Sequence, residues 1–207
     1  MKLAFVRPFL SGELYEPPLG LATLAAYIRQ NADVEILMWD LEVLGWDKNR
    51  LRAEMQSVRP DFVCISFMTY NRFEALELAE LAKKEGATVL IGGQHATSVD
   101  TEILRDFPFI DIIVRGEAEA TLLDIVKCFN SGKPITHISG ITTRDASGSI
   151  IRNKDADFIN VQTLPMPAWD LFPMKRYKYY AVLGSRGCPY ACHFCGSPQF
   201  WKKTLRS

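Results

Sequence analysis

The sequence predicts an α/β fold: a flavodoxin-like, doubly wound, five-stranded parallel sheet. Three observations predict it. Strand and helix signals alternate five times before residue 132. The connections between them are short, as repeated βα units require. The middle strand candidate, Phe62–Phe67, is a near-continuous apolar run, as a strand covered on both faces should be. Right-handed crossovers leave few orders for five such strands, and 2-1-3-4-5 is the expected one.

Each element has its own signal. Lys2–Arg7 is a short apolar strand, and Leu19–Gln30 has helical spacing in Leu21, Leu24, Ala25 and Ile28. Val34–Met38 is the second strand and Asp47–Val58 the second helix. Arg72–Glu85 is an amphipathic helix with Phe73, Leu76, Ala79 and Leu81 or Ala82 expected inward, stopped at Gly86. Thr88–Ile91 is a fourth strand, followed by a short helix at Asp100–Arg105. Strand Asp111–Val114 and helix Ala118–Phe129 complete the unit, which spans 1–132.

Beyond Gly132 the pattern changes. Residues 133–178 form a hairpin and a linker: Ile138–Thr143 and Ile150–Arg152 flank Asp145-Ala-Ser-Gly148. Three prolines then fall within Leu164–Pro173, an extended stretch whose apolar residues can clamp onto a neighbour. The aromatic group Trp169, Phe172, Tyr177, Tyr179 and Tyr180 is expected to pack between segments rather than cage a cofactor. Residues 179–207 begin a third segment, in which Tyr179–Leu183 reads as a strand delivering a cysteine loop.

Composition bounds the function. Lys plus Arg and Asp plus Glu number 24 each, so no net field recruits nucleic acid or an anionic membrane, and neither is an expected partner. The apolar start is cut off at Arg7, too early for a signal peptide, and no run approaches the ~18 residues that span a bilayer. A cytoplasmic location is expected. Five cysteines is an odd count with three clustered, which argues for a metal site in a reducing compartment. Cys64 and Cys128 are expected to be small core residues.

Cys188, Cys192 and Cys195 form C-x3-C-x2-C within Gly184–Gly196. Three thiolates on one loop can hold three irons of a [4Fe–4S] cluster and leave the fourth open. The alternative is zinc on the same cysteines plus His193, which is cramped between two of them.

A second constellation lies in the loops that should follow the strands' carboxyl ends, where such sheets bind ligands. These are Pro8–Gly20, leading into Leu21; Ser66–Asn71, with Met68 and Thr69; Gly92-Gly93-Gln-His95-Ala96-Thr97; and Arg115-Gly116-Glu117-Ala-Glu119. Glycines 92, 93 and 116 let the backbone approach a bulky ligand. Glu117 and Glu119 would complement a helix dipole or bond a ligand, or instead pair with Arg115.

The joint pattern resembles the cobalamin-dependent radical S-adenosylmethionine (SAM) family over essentially the whole chain. The signatures are Pro17-Pro-Leu-Gly-Leu21, Gly-Gly-x-His-Ala-Thr, Arg-Gly-Glu-Ala-Glu and the cysteine motif with Phe194 before its last cysteine. Within the family it looks most like anaerobic magnesium-protoporphyrin monomethyl ester oxidative cyclases, a group that also holds methyltransferases. The resemblance implies a [4Fe–4S] cluster on the three cysteines, SAM on the open iron, and one-electron cleavage of SAM to a 5′-deoxyadenosyl radical. It implies cobalamin against the loops above, transferring a methyl group or electrons. It further implies a small-molecule substrate held by a later barrel, and an electron donor such as ferredoxin or flavodoxin. In the family the cysteine loop follows the first barrel strand, so the chain is expected to be the N-terminal part of a larger enzyme and inactive alone. One departure stands out: there is no Asp-x-His-x-x-Gly, and the strand-1 loop has no His. His95 is then the remaining axial candidate, against a role organising its own loop. The competing function is a cobalamin-binding or degenerate Rossmann-like module without catalysis of its own.

Overall fold

The computed structural model describes residues 1–9 and 16–207; part of the strand-1 loop named above, 10–15, lies outside them. Five parallel strands are β1 (Lys2–Arg7), β2 (Glu35–Asp40), β3 (Phe62–Ser66), β4 (Thr88–Gly92) and β5 (Ile112–Val114). They stand in the expected order, β2-β1-β3-β4-β5. The hairpin does not stand apart. Its strands β6 (Ile141–Arg144) and β7 (Ile150–Arg152) extend the sheet to seven, β6 running antiparallel to β5 with Val114 opposite Ile141. Its turn is tied by Asp145, whose Oδ1 accepts from the backbone N–H of Ser147 at 2.8 Å and Ser149 at 2.9 Å.

Side chains alternate across a strand, so each strand feeds two layers. Ala4, Val6, Val63, Ile65, Val89, Ile91 and Ile113 face one core. There they meet α3 (Lys48–Val58), α4 (Arg72–Lys84), α5 (Gln94–Ser98) and α6 (Asp100–Asp106). Leu3, Phe5, Phe62, Cys64, Leu90, Ile112 and Val114 face the other, covered by α1 (Leu19–Asn31) and α7 (Glu119–Asn130). Cys64 is buried and Cys128 packs at the edge of that second core, as expected of small apolar side chains. On α4 the buried face is Ala75, Leu78, Ala79, Leu81 and Ala82. Phe73 is exposed instead, under the Arg72 guanidinium at 4.1 Å from its ring centre.

The proline-rich stretch turns back onto the sheet's second layer. A short helix α2 (Leu41–Leu44) follows β2, and Val43, Ala22, Phe172 and Tyr177 form a small third core. Tyr177 donates to Asp40 at 2.7 Å, Arg29 pairs with Asp170 at 2.6 Å, and Arg176 donates to the Val43 carbonyl at 2.7 Å. Trp169 and Tyr177 each meet Phe172 edge-on, with ring centres at 6.0 and 6.4 Å. Tyr179 and Tyr180 are exposed.

Tyr179–Leu183, expected as a strand, belongs to no sheet. A strand needs a ladder of hydrogen bonds to a neighbouring strand, and among the described residues no strand is paired with these positions. Strand pairing resumes at β8 (Arg186–Gly187), antiparallel to β9 (Leu205–Arg206), with α8 (Ser197–Phe200) between them.

Candidate functional site

A cleft of about 420 Å³ opens at the carboxyl ends of β1, β3, β4 and β5. Its floor is apolar, reaching Phe5, Cys64, Leu90 and Leu122. Gly20 and Leu21 at the start of α1 form one wall, Ser66 and Met68 the mouth of β3, and Gly92 and Gly93 the end of β4. Gly116, Glu117 and Glu119 close it beside α7. Leu183, Ser185, Arg186, Phe200 and Trp201 lie over it from the cysteine-bearing segment. Burial pushes the Cys64 thiol up to about 12, so the floor carries no charge there.

The glycines serve two different needs. Among the described residues, a Cβ at Gly20 or Gly116 would meet nothing within 4 Å, so both bare their backbone to the space those residues leave open. Gly93 is committed to the protein itself: its φ is +97°, and a Cβ would lie 2.6 Å from the Phe67 carbonyl oxygen. Gly92 is tight as well, 3.3 Å from the Val114 carbonyl oxygen.

Gln94 lines the cleft beside the two glycines, whereas His95, Ala96 and Thr97 of the Gly-Gly-x-His-Ala-Thr run stand outside the lining and hold loops together. His95 Nδ1 lies 3.0 Å from the Thr69 hydroxyl, and its ring packs on Phe67 at 5.5 Å. Burial, with Arg72 nearby, lowers the His95 pKa from its usual value and favours the neutral ring. The Thr97 hydroxyl accepts from Gly116 N–H at 3.0 Å, joining the β4 and β5 loops, and Ala96 is fully buried. Pro8 is buried and also outside the lining.

Glu117 and Glu119 have partners that the sequence did not reveal. Arg186 donates to Glu117 at 3.0 Å and to Glu119 at 2.5 Å. Arg206 grips Glu117 through both terminal nitrogens at 2.9 Å each. Burial pushes the Glu117 carboxyl up, but hydrogen bonds from Arg206 and Arg186 outweigh it and hold the pKa below the usual carboxylate value. Arg115, the alternative partner offered by the sequence, turns the other way: it pairs with Asp155 at 2.5 Å and Asp100 at 3.3 Å.

The cysteine loop is open. Cys192 and Cys195 are exposed, Cys188 is half-buried, and Phe194 points to solvent. Among the described residues no three His, Cys, Asp or Glu side chains converge as a metal ion would need. Cys195 Sγ accepts from Ser197 N–H at 3.4 Å, and that hydrogen bonding lowers its pKa. The donor set itself, three accessible thiols on one loop, suits iron–sulfur chemistry.

Comparison with known proteins places this arrangement. The family model described as "B12 binding domain" matches residues 10–126. The chain belongs to the B12-binding domain family. The chain is 35% identical to "Uncharacterized methyltransferase PH0819" of Pyrococcus horikoshii over 90% of its own length and 42% of that protein's. It is 25% identical to "Anaerobic magnesium-protoporphyrin IX monomethyl ester cyclase" of Rubrivivax gelatinosus, over 90% of the chain and 36% of that protein. The chain thus spans about two fifths of the length of these relatives. The fold matches "Cobalamin-dependent S-adenosylmethionine radical enzyme OxsB" with TM-score 0.80 and 22% identity, covering 94% of this chain and 28% of that one. It also matches "radical S-adenosylmethionine methyltransferase, TsrM, from Kitasatospora setae" with TM-score 0.79 and 17% identity, covering 100% and 43%. For this B12-binding domain the cleft at the strand ends is therefore the site to weigh against a corrinoid. Its apolar floor and the open backbone at Gly20 and Gly116 fit part of a large, flat ligand.

Proposed function

We propose that this chain is the corrinoid-binding and cluster-cysteine portion of a cobalamin- and SAM-dependent radical enzyme, of methyltransferase or oxidative cyclase type. The observation that carries the reading is the apolar cleft at the strand ends of a B12-binding domain, with backbone bared at Gly20 and Gly116. Leu21, Ser66, Met68, Gly92 and Gly93 complete the surface on which the ligand would rest. A cleft of about 420 Å³ suits one appendage of a corrinoid, the remainder lying at its mouth. Held by Cys188, Cys192 and Cys195, a [4Fe–4S] cluster would supply the electron that cleaves SAM, and cobalamin a methyl group or electrons. The chain's own contributions are binding, orientation and exclusion of water by Leu183, Phe200 and Trp201. His95, engaged by Thr69, is read as a loop organiser rather than a cobalt ligand. The residues to 132 with the hairpin are read as the corrinoid unit, and those from 179 as the start of a radical SAM domain. Relatives named as a cyclase and as methyltransferases support this class of parent activity.

The test is direct. The chain is mixed with hydroxocobalamin, passed through a desalting column, and read by visible absorbance. Corrin bands should co-elute with wild type and fall at least 10-fold with Gly20→Phe, which fills the cleft from a position with no described neighbour within 4 Å. No retained corrin in wild type would refute the reading.

A further inference from the structure

We propose that Glu117 is a positioning residue that fixes the cysteine-bearing segment over the strand ends. This goes beyond corrin binding, and it follows from the geometry of four side chains. Glu117 sits just before α7 and is nearly fully buried, at 5% side-chain exposure. Both its oxygens are taken up by the far end of the chain: Arg186 at 3.0 Å and Arg206 twice at 2.9 Å. A fourth donor, the Ile159 N–H, reaches it at 3.0 Å. Glu119 holds the second arm of Arg186.

The arginines are themselves boxed in. The Arg206 guanidinium stacks on the ring of Phe158 at 4.2 Å and lies 5.7 Å from that of Trp201, and it donates to the Ile159 carbonyl at 3.0 Å. Arg186 and Arg206 are carried by β8 and β9, which pair with each other. All three cysteines lie between those two strands in the chain. Gripping β8 and β9 from Glu117 therefore sets where the cysteine loop leaves the domain. Paired, bidentate guanidinium–carboxylate contacts impose direction as well as attraction. Losing the carboxylate would take from the largely buried Arg206 its ion-pair partner and leave Arg186 with Glu119 alone, so the position is exacting.

The test measures backbone hydrogen exchange by mass spectrometry on the 207-residue chain. Wild type, Glu117→Gln, Arg206→Gln and the double variant are compared, without corrin. Exchange across 183–207 should rise about 10-fold in each single variant, with no further rise in the double, while β1, β3 and β4 stay protected. Arg206→Gln lies outside the α/β layers, so it decides the matter if Glu117→Gln folds poorly. The pH profile is a second readout. The carboxyl pKa of Glu117 is held low in the fold. Protection is therefore complete above the ordinary Glu value of ~4.3 and lost as pH falls through the lower folded value. Glu117→Gln should lack that step. Unchanged exchange in 183–207, additive singles, or loss of protection throughout the sheet would overturn the assignment. Corrin retention is measured in parallel: the exchange pattern with no corrin bound keeps this inference and removes the cobalamin reading, and the reverse removes only this one.

Discussion

At Gly93 a hydrogen stands where any side chain would collide. The positive φ of +97° and the 2.6 Å approach to the Phe67 carbonyl oxygen act together. Gly93→Ala should cost about 1–3 kcal/mol from strained backbone, read as a lower melting temperature by circular dichroism. Gly20→Ala, within α1 and with no described neighbour within 4 Å, should be neutral or stabilising by up to ~1 kcal/mol. An equal loss at both positions would mean that close approach is not what requires Gly93. The glycine pair was legible in the sequence, but its use was not: contact with Phe67 depends on β3 lying beside β4. The same holds for Glu117 and Glu119. Their motif was visible, but Arg186 and Arg206 lie 69 and 89 residues away from Glu117. Long-range ion pairs leave no periodic trace, and the nearer Arg115 was the natural but wrong partner.

Among the elements, the parallel strands and long helices were legible because burial on two faces and on one stripe writes distinct periods. Short pieces were not. α2 is four residues, too few for a period, although its limits were marked by Asp40, which accepts from Val43 N–H at 3.5 Å, and by Gly45 at φ +66°. Phe73 misled because size suggested burial, whereas the buried face of α4 is the stripe of Ala75, Leu78, Ala79, Leu81 and Ala82, from which Phe73 is turned away. The proline-rich stretch works as a clamp through the third core. Its polar pin is Tyr177, whose phenol is pushed well above its usual pKa by burial and then by Asp40. Tyr177→Phe keeps the ring packing and removes one donor, while Arg7 still reaches Asp40 at 3.1 Å. The cost should be about 1–2 kcal/mol, seen as a lower urea midpoint with an unchanged slope. No shift would make the clamp purely apolar.

For the molecule as a whole, the chain opens its cleft at the strand ends and carries the cysteines past them, but spans only about two fifths of its relatives. Productive SAM cleavage needs the ligand fixed on all sides, and ~1 Å of misplacement can cost ~100-fold in rate. After anaerobic reconstitution and dithionite reduction, chromatography should find little 5′-deoxyadenosine from this chain. Turnover comparable to an intact radical SAM enzyme, lost in Cys192→Ala, would show the chain sufficient. The hairpin that lengthened the sheet has a separate consequence, for solubility. Without it, Ile112-Ile-Val114 would present a row of unpaired backbone groups on an apolar strand, an invitation to another molecule. With it, the exposed margin becomes the three-residue β7, ending in Arg152. A chain shortened to 1–132 should therefore self-associate, whereas 1–178, at the same concentration, stays monomeric by size exclusion with light scattering. If both stay monomeric, β5 needs no such guard.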